Sequence, residues 1–255
     1  KERVLSTLNQ DGTRRWLRPT LSTGGFWRVR RLVGWLLIAI FVALPRMTVA
    51  GKQAVLFDLA RGEFTLLGAS LYATDTLLLM FFLIGLFLGV FLLTALYGRV
   101  WCGWGCPQTV YLEFVFRPLE RLIEGNASKQ KALDQQLVPW RRLLKWAVFL
   151  AIALTLSNVF LAYFVPVDTV LQWATRPPSE HPHGFAVVAA TTTLMMIDFT
   201  WFREQMCVVA CPYARLQSVL IDKRSLIMAY DVGRGEPRGK LRKTAELSIG
   251  SATPT

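Results

Sequence analysis

Apolar and polar positions fall in long blocks along this chain, without the short periodicities of a soluble domain. Thr76 to Tyr97 (TLLLMFFLIGLFLGVFLLTALY) carries no charge over 22 residues, more than the roughly 20 that take a helix across a hydrocarbon core of about 30 Å. Three further blocks have the same character, so membrane spans are predicted at about 32–50, 76–97, 146–167 and 185–202. The first is weakened by Pro45 and Arg46, which places them at the outer interface with the arginine snorkelling to headgroups. Residues 51–74 mix apolar and polar positions without helical length and are expected at the outer surface. Residues 125–142 read as a polar linker, and 168–183 as a short loop with irregular backbone at Pro177-Pro178. The expected organisation is a basic cytoplasmic segment over 1–31, a four-helix membrane domain over 32–230 and a flexible cytoplasmic tail over 231–255.

Composition agrees with a membrane protein: 53% of the 255 residues are hydrophobic. The formal net charge of +12 would suggest nucleic acid in a soluble protein, but the basic residues are segregated by loop, as membrane orientation requires. Arg14, Arg15, Arg18, Arg28, Arg30 and Arg31 precede the first span. Arg99, Arg117, Arg121, Lys129, Lys131, Arg141, Arg142 and Lys145 lie between the second and third. The two opposite loops hold Arg46, Lys52 and Arg61, and then Arg176. Both termini are therefore expected in the cytoplasm of a multi-pass protein, with the lipid bilayer as partner and nucleic acid excluded. The first residues show no signal peptide, and a start at Lys1 suggests that a few residues are missing.

All four cysteines lie in two C-x-x-x-C-P motifs, Cys102/Cys106 and Cys207/Cys211, offset by 105 residues in both cases. Each follows an apolar block and precedes an amphipathic basic segment, Gln108–Glu124 (bent near Pro118) and Tyr213–Tyr230. The fold class expected is an all-α integral membrane protein, with four transmembrane helices as two two-helix repeats and a cytoplasmic interfacial helix after each motif. A two-fold axis along the membrane normal would bring the four thiols to one inner face. Gly103 and Gly105 favour a loop in the first motif, and Val208-Val209-Ala210 allow helix in the second. In both, the second cysteine precedes a proline-started helix whose dipole favours thiolate. Four thiolates with no histidine in any span fit Cu(I), an iron–sulfur cluster or zinc. His181 and His183 read as an exposed loop before they read as a metal contact. Asp198, inside a span, is either functional or an ion-pair partner of Arg203. Met195, Met196 and Met206 read as core packing before a soft-ligand path.

The stretches GRVWCGWGCPQTV at 98–110, ERLIEG at 120–125, R-E-Q-x-C-x-x-x-C-P-Y-A-R-x-Q-S at 203–218 and Y-D-x-x-R-G-E-P-R-G at 230–239 resemble the CcoG/FixG family, accessory proteins for assembly of cbb-type cytochrome c oxidase. GKQAVLFD at 51–58 resembles the same family. The resemblance implies a bacterial inner-membrane protein that reduces Cu(II) to Cu(I) for the oxidase, with Cys102, Cys106, Cys207 and Cys211 as catalytic and metal-binding thiols. It implies copper, and oxidase subunits or copper-delivery proteins and an electron donor as partners. It also implies [4Fe–4S] clusters, whose ferredoxin-like ligand domain is expected beyond the residues of this chain. Two other readings of the motifs are a non-catalytic Cu(I)-binding assembly scaffold and a quinol-linked electron-transfer subunit.

Overall fold

The computed structural model describes residues 24–49, 51–58, 62–72, 76–134 and 140–220, all within one unit, Lys1–Ser225. Residues 1–23 of the segment expected over 1–31, the tail expected over 231–255, and the end of the second amphipathic segment lie outside the described residues.

The described residues are mostly helical, and among them three helices are long and apolar enough to cross a membrane: Leu77–Tyr97, Trp140–Leu161 and Pro182–Phe202. The expected fourth, at the N-terminal end, differs. Helix α1 is Gly25–Ala43, so it starts seven residues before the block at 32 and takes Arg28, Arg30 and Arg31 into its own length. It stops where Pro45 starts a 3₁₀ turn, Leu44–Arg46, because proline lacks the N–H that would continue the helix.

The all-α expectation is corrected over residues 48–72, which form two small sheets. Strands β1 (Thr48–Val49) and β2 (Lys52–Gln53) pair antiparallel around Gly51 at φ +79°. Strands β3 (Val55–Asp58), β4 (Glu63–Leu66) and β5 (Ala69–Tyr72) make an antiparallel meander, with Val55 opposite Leu66 and Phe57 opposite Phe64. Leu67 and Gly68, both at positive φ, close the β4–β5 turn as a two-residue hairpin demands. Leucine at such a position hides the turn from a sequence reading. Phe57 N–H donates to the Tyr163 carbonyl at 2.7 Å, and Tyr163 Oη donates to the Phe41 carbonyl at 2.7 Å. The sheet is thereby pinned to the ends of two helices.

After the sheets come α2 (Thr76–Tyr97), α3 (Val100–Trp104), α4 (Pro107–Tyr111), a π-helical turn at Leu112–Phe116, and α5 (Arg117–Glu124). The polar linker is partly ordered as α6 (Ala127–Asp134). Helix α7 is Trp140–Leu161, earlier at both ends than the block at 146–167. Its first turns can carry Lys145 because that ammonium is paired with Glu124 at 2.7 Å and with Glu120 at 3.4 Å. The expected loop at 168–183 contains α8 (Val167–Thr175) and a 3₁₀ turn, Pro178–Glu180. Trp173 of α8 covers Gly184, where a Cβ would fall 2.4 Å from the indole. Helix α9 (Pro182–Ile197) follows, then π-helical turns at Asp198–Phe202 and Met206–Ala210, then α10 (Pro212–Leu220).

The segment from α4 to α5 was expected on a membrane surface and instead supplies the core. Phe116 is fully buried, stacked on Phe199 with ring centroids 4.2 Å apart and edge-on to Phe149 at 4.8 Å. Leu112 joins them, with Met195 and Met196 packed alongside. Phe114 lies against Gly34 of α1, where a Cβ would meet its ring at 2.5 Å. Helices α7 and α9 meet through a Thr192–Ser157 hydroxyl hydrogen bond of 3.0 Å. By contrast α2 is almost bare, with most of its leucines and phenylalanines exposed, which suits lipid contact.

Charged groups close the same core on one side. Glu120 of α5 pairs with Arg203 and with Lys145, and Arg117 pairs with Glu113 and with Glu204. Burial alone would push the Glu120 carboxyl up, but Arg203 and Lys145 beside it hold it below its ordinary 4.5.

Phe116→Ala is expected to cost about 3–5 kcal/mol, read as a lower unfolding midpoint in a denaturant titration of the detergent-solubilised protein. Glu120 is a carboxylate with a lowered folded pKa, so its contribution is complete above the ordinary value and is lost as pH falls through the lowered one. The unfolding midpoint should therefore hold from neutrality to about pH 5 and fall below about pH 4.5. In Glu120→Gln that dependence should flatten, at a cost of roughly 3–5 kcal/mol at neutral pH for stranding buried Arg203.

Candidate iron–sulfur site

The two cysteine motifs follow one backbone path. Each begins at a break with positive φ, Gly98 at +66° and Arg203 at +50°, and 203 minus 98 is again 105. Each continues as one helical turn containing the first cysteine. Each closes with the second cysteine's N–H on the carbonyl five residues back: Cys106 to Trp101 at 3.0 Å, Cys211 to Met206 at 2.9 Å. The second cysteine is extended in both, with φ/ψ of −66°/121° at Cys106 and −74°/112° at Cys211. Pro107 and Pro212 then start helices, where the missing N–H costs nothing. The loop expected in the first motif is therefore a helical turn. Gly105 permits it by lying under Trp101, whose ring a Cβ would meet at 3.0 Å. The Gly103 carbonyl accepts from Arg30 Nε at 2.7 Å, tying the turn to α1.

Arg203 lies where glycine is usual, at ψ −118°, a conformation that costs about 1–3 kcal/mol. Surrounding contacts hold it there. Its N–H donates to the Asp198 carbonyl at 2.6 Å, its guanidinium pairs with Glu120, and its own carbonyl accepts from Gln108 Nε2 at 3.3 Å. The same Gln108 amide donates to Asp198 Oδ1 at 2.9 Å. Asp198 is thus held by the first motif's helix, while the Arg203 guanidinium turns to Glu120.

The structure ties the two turns to each other, Gln108 reaching the Arg203 carbonyl and Gln217 the Gly98 carbonyl. All four are half-buried and unbridged. Burial pushes the Cys102 thiol up to about 11, helped by the nearby Cys106, Cys207 and Cys211 and opposed by Arg99. Cys207 is also pushed up, by burial first and then by Cys106, Cys211 and Asp198. Thiols from turns 105 residues apart thus lie within electrostatic reach of one another. Among the described residues, no group of three or more His, Cys, Asp or Glu side chains is arranged to hold a metal ion as it stands. The donor set fits an iron–sulfur cluster in chemistry, since Cys₄ ligation is that cofactor's usual form. Binding iron would offset the cost of ionising buried thiols, because a coordinating thiol is deprotonated outright.

The histidines are elsewhere. His181 stacks on Trp173 at 5.0 Å where α9 begins, and His183 is exposed. Met195 and Met196 belong to the aromatic core. Residues that composition does not reveal are Gln108 and Gln217. Gln217 of α10 is buried, with Oε1 3.5 Å from Cys102 Sγ and Nε2 3.5 Å from the Gly98 carbonyl. Tyr213, also on α10, donates its hydroxyl to Thr94 of α2, whose own hydroxyl is committed to the Val90 carbonyl at 2.8 Å.

Comparison with known proteins adds to this geometry. The family described as 4Fe-4S binding domain matches residues 79–126, and the family described as 4Fe-4S dicluster domain matches residues 202–251. The first match contains Cys102 and Cys106, the second Cys207 and Cys211. The expectation that the cluster-binding residues lie outside this chain is therefore corrected: both cluster-binding matches fall on its own motifs. The chain is 35% identical to protein RdxA of Cereibacter sphaeroides over 226 residues, covering 87% of this chain and 48% of that protein. It is 34% identical to RdxB of the same organism over 88% of this chain and 47% of that protein. It is 31% identical to the nitrogen fixation protein FixG of Rhizobium meliloti over 91% of this chain and 46% of that protein. The chain thus spans about half the length of these relatives. No solved structure matches it. Similarity along nine-tenths of the chain, with both cysteine motifs inside cluster-binding matches, makes this a member of the FixG/RdxA-like family.

Proposed function

We propose that this chain is the membrane-embedded part of an electron-transfer protein, in which Cys102, Cys106, Cys207 and Cys211 hold one [4Fe–4S] cluster between the two motifs. The observation that supports the reading is the clasp between the two C-x-x-x-C-P turns, Gln108 on the Arg203 carbonyl and Gln217 on the Gly98 carbonyl, with Cys102 in electrostatic reach of the other three thiols. Both cluster-binding family matches point the same way. A cluster bound there supplies one-electron storage. The residues of the chain do the rest. The proline-started helices α4 and α10 fix the direction of the second thiolate of each turn. Arg99 offsets negative charge at Cys102.

The finer reading is reduction of Cu(II) to Cu(I) for a cbb-type oxidase. Cu(II) takes one electron, supplied by a low-potential donor protein or a companion segment, and leaves as Cu(I) to an oxidase subunit or a copper-delivery protein. Its support is the resemblance of both motifs to the oxidase accessory family and the preference of soft thiolate surroundings for Cu(I). Copper is substrate here, distinct from the resident cofactor. The membrane arrangement proposed is the bacterial inner membrane with both termini and both motifs cytoplasmic. In it, α1 serves as a fourth span whose arginines lie at the inner interface, and each half contributes two helices in the same orientation. The distribution of basic residues supports it.

Each single Cys→Ser variant, purified anaerobically, is expected to lose most of its bound iron and its broad visible absorption, with Cu(II) reduction falling in parallel. Unchanged iron in all four variants would sink the cluster reading. Unchanged copper reduction in iron-depleted variants would sink the copper reading alone. For the topology, a thiol probe that cannot cross membranes should label His183→Cys from the outer side of spheroplasts and Lys129→Cys only after lysis; the reverse pattern would invert the arrangement.

A further inference from the structure

The exposed apolar surface of α1 does not stop where the helix does. Leu32, Leu36 and Ile40, spaced so that they share one side of the helix, are exposed. Met47 carries on from the last turn, its N–H on the carbonyls of Ala43 and Leu44 at 3.1 and 3.3 Å, and is exposed too. From there the backbone gathers three apolar residues. Ala54 N–H donates to the Met47 carbonyl at 2.8 Å, and Leu67 N–H donates to the Ala54 carbonyl at 2.6 Å. The β4–β5 turn is thereby folded onto β1, with Gly68 so close that a Cβ would meet Val49 Cγ1 at 3.2 Å. Met47, Val49 and Leu67 form one exposed apolar patch beside the end of α1.

Leu67 is the anomaly within it. At φ +51° it occupies a conformation that glycine or asparagine adopts more readily, yet a leucine stands there and is 69% exposed. Charge is sorted around the patch. Arg46 and Lys52, both exposed, flank it, and Lys52 Nζ reaches Ser70 Oγ at 2.7 Å, close to the turn. The carboxylates of the three-stranded sheet, Asp58 and Glu63, stand opposite each other at the far end of the ladder.

We propose, on the reading of α1 as a membrane span, that this patch is an interfacial anchor: Met47, Val49 and Leu67 enter the headgroup–acyl boundary of the bilayer, with Arg46 and Lys52 level with the lipid phosphates. One end of α1 is tied to the first cysteine turn through Arg30, so the sheets at its other end lie on the opposite face of the bilayer. Their height is fixed, because Phe57 N–H bonds the Tyr163 carbonyl and Tyr163 Oη bonds the Phe41 carbonyl. Apolar side chains held at that level leave water by entering lipid, and nearby cations are drawn to anionic headgroups. The insertion offsets the strained backbone of Leu67, which asparagine would relieve without supplying an apolar side chain.

The test uses the full chain in nanodiscs of phosphatidylethanolamine and phosphatidylglycerol. A nitroxide on a genetically encoded residue, which spares the four native thiols, replaces Leu67, Met47, Leu36 or Glu180 in turn. Collisions with oxygen, which concentrates in lipid, are compared with collisions with a nickel chelate, which stays in water. The oxygen-to-nickel ratio at Leu67 is expected to be severalfold above that at exposed Glu180 and below that at Leu36 in the middle of α1. A Leu67 ratio equal to that of Glu180 overturns the proposal. Shielding of Leu67 from both colliders also overturns it, because a protein partner or a second copy would then cover the patch. The Met47 label decides in the same way should the Leu67 variant not fold. If Leu36 also gives the ratio of Glu180, the reading of α1 as a span fails and the anchor with it. Lipid at Leu36 with water at Leu67 refutes the anchor alone.

Discussion

The segment from Pro107 to Glu124 is the constraint on which the rest of this molecule depends. Its apolar side stacks Phe116 on Phe199 and Phe149, and its polar side pairs Glu120 with Arg203 and Lys145. Phe199 lies in the π-helical turn that follows α9 and Arg203 directly after it, just before the second cysteine turn. The helix that leaves the first motif is thus the support on which the second motif is built. An aromatic pair worth about 0.5–1.5 kcal/mol beyond its area sets the distance. A buried ion pair, costly to break though not costly to replace, sets the register.

That support explains a strained residue. Arg203 occupies a conformation suited to glycine, as Gly98 does at the equivalent place in the first motif. Glycine needs no help there, whereas arginine keeps the conformation because Glu120 holds its side chain and Gln108 its carbonyl. The replacement trades backbone ease for a cation that locks the two motifs together. Strain is concentrated next to Cys207, consistent with the general tendency of such positions to lie at functional sites.

Membrane character and site geometry divide along the chain. Helix α2 has little contact with the rest of the described protein and exposes its leucines and phenylalanines, a surface suited to lipid. Its C-terminal end is nonetheless tied down, where buried Thr94 meets Tyr213 and where Gln217 meets the Gly98 carbonyl. The first motif is therefore held by contacts from the second half of the chain, and the second motif by contacts from the first. Neither turn has its observed surroundings without the other.

What the residues determined alone were the properties that depend on local order. The apolar run of α2, the two C-x-x-x-C-P turns, the proline-started helices and the 105-residue offset are all visible as spacing, because hydrophobic length and proline geometry act within a few residues. The family resemblance was visible for the same reason, in long contiguous motifs. The small sheets were not, since Leu67 gives no turn signal and strand pairing is decided by partners in space. The early start of α7 was not, since Lys145 is tolerated only because Glu120 and Glu124 arrive from another helix. The placing of α4 and α5 in the core escaped for a related reason: an amphipathic helix can bury its apolar face in lipid or in protein, and only the presence of Phe149 and Phe199 decides which. Convergence of the four thiols was an inference from repetition. What tertiary structure decided is the joining of the two turns, by sending Gln108 and Gln217 across to the opposite ones.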